Sequence, residues 1–175
     1  MKKLTLFLIT LFTFLGSNLL AQTQMRQEKV GHQFFIMVPE YMTRTLGIND
    51  AASVQFKSVV KDVYTFVIED SKADLELVEM KFSSVSEFYN DFIKDFLVGT
   101  KDRSISPPTT LEVEGVKYVQ SEASYYDKEA KSKIYYNITV AETGGYFYKI
   151  LSYTAFSNKD KFRDDFTKLA LTIRD

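Results

Sequence analysis

The stretch from Val116 to Ala155 constrains the fold more than any other part of the chain. Three long segments, Val116–Tyr126, Lys131–Ala141 and Tyr146–Ala155, are rich in Tyr, Ile and Val. Asp127–Ala130 and Glu142–Gly145 separate them as hairpin loops, so the segments predict an antiparallel meander. Symmetric closure of the loops sets Ala123 opposite Ile134, Ser121 opposite Tyr136, Val140 opposite Phe147 and Tyr136 opposite Leu151. One face then carries Val119, Ala123, Ile134, Tyr136, Ile138, Val140, Phe147, Leu151 and Tyr153, a core face that needs a helix over it. Lys149 falls on that face too, which predicts a sheet edge or a bulge there. The other face carries Tyr118, Gln120, Glu122, Tyr135, Asn137, Thr139, Tyr148, Ile150 and Ser152, and it is mixed, polar and tyrosine-rich. A one-residue slip would exchange the two sets.

Two amphipathic helices are available to cover such a sheet. Val85, Phe88, Tyr89, Phe92, Ile93, Phe96 and Leu97 form one stripe at helical spacing. Ser84 and Glu87 make a capping box at its start, and Gly99 is placed to end it. A second helix spans about Asn158–Leu171, with Phe162, Phe166, Leu169 and Ala170 on one side. Upstream, Phe34–Val38 reads as a strand stopped by Pro39, and Pro39–Leu46 has room for a helical turn. Ala52–Val60 and Val63–Glu69 read as two strands around a Lys61-Asp62 turn. Lys72–Glu79 is polar and undecided between states.

Strand, strand pair, helix, meander, helix is an α+β order: an antiparallel β-sheet flanked by amphipathic helices, in an α/β/α sandwich. Cystatin-like and nuclear-transport-factor-like folds also fit that order. The chain resembles the PsbP-like exported proteins, whose fold is shared with a Ran-binding nuclear import factor. The resemblance is carried by Phe34-Phe35-Ile36-Met37-Val38-Pro39, the following strand pair, the helix from Ser84, the Val113-Glu114-Gly115-Val116 hairpin and the C-terminal helix. Family members often place a Trp after the opening proline, where this chain has Tyr41 and Met42. The resemblance implies accessory or binding subunits and carries over no catalytic motif.

The N-terminus predicts export. Lys2 and Lys3 precede a run from Leu4 to Leu15 of about a dozen residues, interrupted only by threonines. That length suits a signal peptide and is too short to span a bilayer core of ~30 Å. Gly16, Ser17 and Asn18 break the run, and cleavage near Ala21-Gln22 follows. The expected organisation is a signal peptide at 1–21, a loose polar leader at 22–31 and one domain at 32–175, in the periplasm or secreted. No later apolar run reaches membrane length, so no stable membrane insertion is expected after cleavage.

Of 22 basic and 23 acidic residues, Lys2 and Lys3 leave with the signal, so the mature chain carries 20 against 23, near −3. That balance is unlike a nucleic-acid binder. Cysteine is absent, which removes disulfides and thiol chemistry and leaves stability to the core. His32 is the sole histidine, too little for a usual zinc site, so no metal and no cofactor is expected. Asp70-Ser71-Lys72-Ala73-Asp74 resembles the start of a calcium loop but has Leu75 where such loops need glycine. No phosphate loop, nucleophile elbow or dinucleotide fingerprint occurs. The expectation is therefore a non-enzymatic exported module acting through an envelope partner. A carrier of a small apolar ligand and a carboxylate-based hydrolase are the alternatives. Tyrosine suits recognition because it joins an apolar body to a hydroxyl. Burying the polar sheet face would need a partner for every group. An open face is thus expected, with Tyr118, Glu122, Tyr135, Asn137 and Tyr148 as binding residues.

Overall fold

The computed structural model describes residues 22–31 and 33–175. The expected export signal and His32 lie outside the described residues. The meander forms as expected: β8 (Val116–Asp127), β9 (Ser132–Glu142) and β10 (Tyr146–Ala155) pair antiparallel. Asp127 pairs with Ser132 and Glu142 with Phe147, so each loop closes one residue later on both sides than symmetric closure about the expected loop allows. A register change of two preserves parity, and both faces keep their expected residues.

The upstream strands extend this sheet. β4 (Val54–Ser58) pairs β5 (Val63–Ser71), and β5 pairs β10. A two-residue β3 (Thr43–Arg44) stands where a helical turn was expected, at one edge beside β4. At the other edge β6 (Lys101–Ile105) and β7 (Thr109–Val113) share a single neighbour, β8. β6 takes its Ala123–Tyr126 end and β7 its Val116–Gln120 end.

The expected leader is not loose. Met25–Val30 is β1 and pairs in full register with β2 (Phe34–Pro39). Gly31 turns between them at φ 58°, and Gln33 N–H donates to the Val30 carbonyl at 3.1 Å. A left-handed φ is cheap for glycine. Backbone pairing and an Arg26–Glu28 ion pair at 2.8 Å supply what the polar side chains of β1 lack in burial.

Three helices complete the described residues: α1 (Lys72–Leu77), α2 (Val85–Asp95) and α3 (Lys159–Ala170). Ser84 Oγ accepts the Glu87 N–H at 3.2 Å, as the capping box requires. Its reciprocal half is displaced by one residue: Glu87 Oε2 accepts from the N–H and hydroxyl of Ser83, both at 2.7 Å. Glu142 caps the same end from the sheet by accepting the Val85 N–H at 2.9 Å. The helix ends before Gly99, because Phe96 is extended and Leu97 is left-handed at φ 59°. Arg103 of β6 closes that end by donating to the carbonyls of Ile93 and Phe96 at 2.9 and 2.8 Å.

α2 lies on the first face, over Phe66, Val119, Ile138, Val140, Phe147 and Leu151. Val85, Phe88 and Tyr89 are its fully buried residues, while Phe92 and Phe96 are only half-buried. Phe88 stacks on Phe147 at 4.4 Å. Beyond the end of α2 this face continues as a row of half-buried tyrosines. Tyr64, Tyr153 and Tyr136 stack at 4.8 and 5.0 Å, and Tyr125 follows at 6.3 Å.

The second face has a mixed cover. α3 packs Phe162, Phe166 and Leu169 against Val63, Val67, Tyr118, Tyr135, Tyr148 and Ile150. The β1–β2 hairpin shares this layer, which therefore departs from a plain helical one. Asp165 of α3 accepts from the hydroxyls of Tyr41 at 2.7 Å and Thr23 at 3.0 Å. The terminal segment then bridges to β2, with Phe35 and Arg174 exchanging backbone bonds at 2.7 and 3.0 Å. Among the described residues no helix is long and apolar enough to cross a membrane.

Lys149 corrects one expectation outright. It sits on β10, between β5 and β9, in unbroken register, so neither an edge nor a bulge accommodates it. Asp70 pairs with it at 2.8 Å, and its ammonium lies 5.5 and 5.8 Å from the rings of Phe88 and Phe92. A partly buried ammonium with a carboxylate and two aromatic faces is tolerable inside a sheet.

Candidate functional site

The open polar face expected of the meander is closed by α3. Tyr118, Tyr135 and Tyr148 are 0%, 1% and 0% exposed, and Asn137 is buried with them. The premise that the face could not be sealed fails because its cover brings partners. Tyr118 donates to the Leu171 carbonyl at 3.0 Å and lies 2.6 Å from the Arg174 guanidinium, which donates to it. Burial pushes its hydroxyl pKa up, and Arg174 opposes the rise. Asn137 donates to Thr167 Oγ1 at 3.2 Å, Gln120 to Thr139 Oγ1 at 2.9 Å, and the hydroxyls of Thr65 and Ser152 meet at 2.8 Å. Tyr148 packs edge-on against Phe34, centroids 5.0 Å apart, and its hydroxyl finds no hydrogen-bond partner among the described residues.

What stays open on this face is a groove, and its cause is legible in the chain. Pro107 and Pro108 carry no N–H, so no strand can continue through them beside β8. β6 stops at Ile105 and β7 starts at Thr109. Ser106 bridges the break, donating its N–H to the Glu122 carbonyl at 2.8 Å and accepting the Glu122 N–H on its hydroxyl at 2.9 Å. The ladder thus opens at Glu122, whose side chain emerges between the broken edge and α3.

Two adjoining recesses meet there and share Ser106 and Glu122. One, about 220 Å³, is lined also by Ser104, Ser124, Lys133, Tyr135, Phe156 and Lys159. The other, about 330 Å³, adds Pro107, Thr109, Gln120, Asn137, Arg163 and Thr167. Lys159, Arg163 and Thr167 recur every fourth residue, so they form one stripe down the flank of α3. Both recesses are open to solvent, and their walls mix polar and apolar atoms.

Glu122 is the hub of the groove. Its carboxylate accepts from the Tyr135 hydroxyl at 3.1 Å and from Lys159 Nζ at 2.5 Å, with Arg163 at 3.9 Å. The side chain keeps 30% of its exposure. Lys159 also lies over the Tyr135 ring at 5.2 Å. The Tyr135 hydroxyl pKa is held far above its usual value, first by burial and then by the adjacent Glu122 charge and its hydrogen bond. It stays protonated and donates to Glu122.

Of the five expected binding residues, the structure brings Glu122, Tyr135 and Asn137 together in this groove. Tyr118 is sealed elsewhere by the terminal segment, and Tyr148 against Phe34 of β2. Sequence reasoning missed Lys133, Lys159, Arg163 and Ser106, which come from three separate segments. One signal was readable: the i, i+4, i+8 polar stripe of the last helix beside its apolar face. No group of three or more metal-ligating side chains occurs among the described residues.

The fold is PsbP-like. The chain resembles the solution structure of the cyanobacterial PsbP protein CyanoP from Synechocystis sp., with a TM-score of 0.60 and 16% identity over 91% of this chain and 95% of that one. It also resembles the crystal structure of LpqN, described as involved in cell envelope biogenesis of Mycobacterium tuberculosis. There the TM-score is 0.55 and the identity 11%, over 87% of this chain and 90% of that one. No family model matches the chain, and no curated protein matches it.

Proposed function

We propose that this chain is an exported, non-enzymatic accessory or binding module of the cell envelope that acts through a partner protein, and that the partner docks in the groove between β8 and α3. The observation that carries this reading is the groove itself. Among the described residues it is the open part of an otherwise sealed face, and Tyr135 and Lys159 hold its central carboxylate in a half-exposed position. Fixed polar groups at the rim of a rigid sheet suit recognition, because little ordering cost remains on binding. The Lys2–Ala21 segment supports export, and the envelope role described for LpqN supports the setting.

Two alternatives have less behind them. A carrier of an apolar ligand needs an enclosed pocket, and such pockets run from roughly 300 Å³. The larger recesses, about 220 to 420 Å³, are open to solvent, and the most enclosed one, under Phe82 and Phe147, has only about 80 Å³. A carboxylate hydrolase needs two carboxyl groups facing across a cleft. In this groove the lining holds one carboxylate, Glu122, and it is already engaged by Lys159.

The test is affinity capture from the envelope fraction with the mature protein and two charge reversals. Arg163→Glu in the groove should lose the captured partner. Lys81→Glu, exposed ahead of α2, should retain it. Equal capture by both variants would refute the docking site.

A further inference from the structure

We infer that the groove receives a carboxylate from its partner, which Lys133, Lys159 and Arg163 hold and for which Glu122 is the chain's own placeholder. This rests on the groove being the docking site and goes further by naming what the partner presents, an acidic side chain.

The charge count in the groove supports this. Three cations border the two recesses, and Glu122 is the one carboxylate among the residues that line them. One carboxylate balances one cation. Glu122 is committed to Lys159 at 2.5 Å. Arg163 stands at 3.9 Å from Glu122 and equally at 3.9 Å from Asp164, and is half-exposed, so neither contact holds it firmly. Lys133 lies 4.3 Å from the centroid of Phe156 and meets no carboxylate among the described residues. Among the lining residues the surplus is two positive charges, which the exposed Asp164 beside Arg163 reduces only from outside the recesses, while the mature chain as a whole is acidic. A local field opposite in sign to the net charge selects an anionic group.

The placeholder says which anion. The groove already holds a carboxylate between an ammonium, a guanidinium and a phenol donor. A planar guanidinium and a neutral hydroxyl match carboxylate oxygens in number and direction. An arriving carboxylate has Lys133 and Arg163 free to engage it, and it competes with Glu122 for Lys159. Glu122 therefore weakens anion binding, which gives the inference a test in the direction of gain.

The experiment is a titration of the ¹⁵N-labelled mature protein with hexaglutamate peptide, with hexalysine and inorganic phosphate as controls. Hexaglutamate should move the amides of Glu122, Lys133, Lys159 and Arg163, and its affinity should fall several-fold between low and physiological salt. Glu122→Gln should bind hexaglutamate several-fold more tightly, a gain that a merely damaged fold cannot produce. Lys133→Met with Arg163→Met should lose about ten-fold while keeping a dispersed spectrum. Silence of the groove amides in both the wild type and Glu122→Gln would overturn the inference. So would tighter binding of phosphate than of hexaglutamate at the same amides. If hexaglutamate is silent but Arg163→Glu still abolishes capture, docking stands and the carboxylate assignment falls. If neither responds, both fall.

Discussion

The two faces of the sheet are built from the same strands, alternate residues of each, yet they are closed in opposite ways. Under α2 the seal is aromatic carbon. Phe88, Phe147 and Phe82 meet at centroid distances of 4.4 to 6.1 Å, and the tyrosines that extend this layer stay half-buried at its margin. Under α3 the seal is polar as well as apolar, with the hydroxyls and amides other than that of Tyr148 answered from α3, its C-terminal extension and neighbouring strands. Tyrosine content therefore does not tell which face is open. A tyrosine can be buried to its oxygen if the cover supplies an acceptor, and it can sit half in water where the cover simply ends. On the α3 side the opening comes instead from a break in backbone pairing at two prolines.

The largest effects should come from the plugs beneath each helix. Phe88→Ala and Phe166→Ala each empty a buried aromatic site, and each should cost about 3–5 kcal/mol in urea unfolding. Phe92→Ala, half-buried on the same stripe as Phe88, should cost distinctly less. Equal losses at Phe88 and Phe92 would mean that α2 sits deeper than its contacts indicate.

A smaller pair of changes separates answered from unanswered hydroxyls. Tyr118→Phe removes a group held by Leu171 and Arg174 and should cost about 1–3 kcal/mol. Tyr148→Phe removes a buried hydroxyl with no partner and should be neutral or stabilising. The reverse ranking, measured by thermal or urea unfolding, would show that Tyr148 is the satisfied one.

The tyrosines also set a pH limit. Burial holds the hydroxyls of Tyr118, Tyr135, Tyr136 and Tyr148 above their ordinary pKa, and Tyr153 is pushed up to about 12. In the unfolded chain a phenol ionises near ~10. A pKa raised in the folded state means that its stabilisation is complete below the unfolded value and is lost as pH rises toward the folded one. The urea midpoint should hold to about pH 9 and fall above about pH 10. A midpoint indifferent to alkali would mean that the phenols are open to water on both faces.

The strong periodicities carried most of the fold into view. The meander faces survived a misplaced loop because closure moved by two residues, and both amphipathic helices followed their stripes. β1, β3 and β6 were not legible, because short edge strands such as Lys101–Ile105 bury almost nothing and so carry no apolar alternation. For the groove, alternation placed Glu122, Tyr135 and Asn137 on one face, and Lys133 of β9 falls on it by the same rule, but Lys159 and Arg163 reach Glu122 only through helix–sheet docking. The double proline was visible throughout. Its consequence, a ladder opened at Glu122, depends on both flanking strands choosing the same neighbour.

A photo-cross-linking amino acid placed singly at Thr109, on the groove wall, and at Tyr64, on the half-buried tyrosine row, compares the two faces directly. With the mature protein in its own envelope, Thr109 should yield one discrete cross-linked product, Arg163→Glu should abolish it, and Tyr64 should yield none. A product from Tyr64 that survives Arg163→Glu, with none from Thr109, would place recognition on the α2 face and contradict the groove.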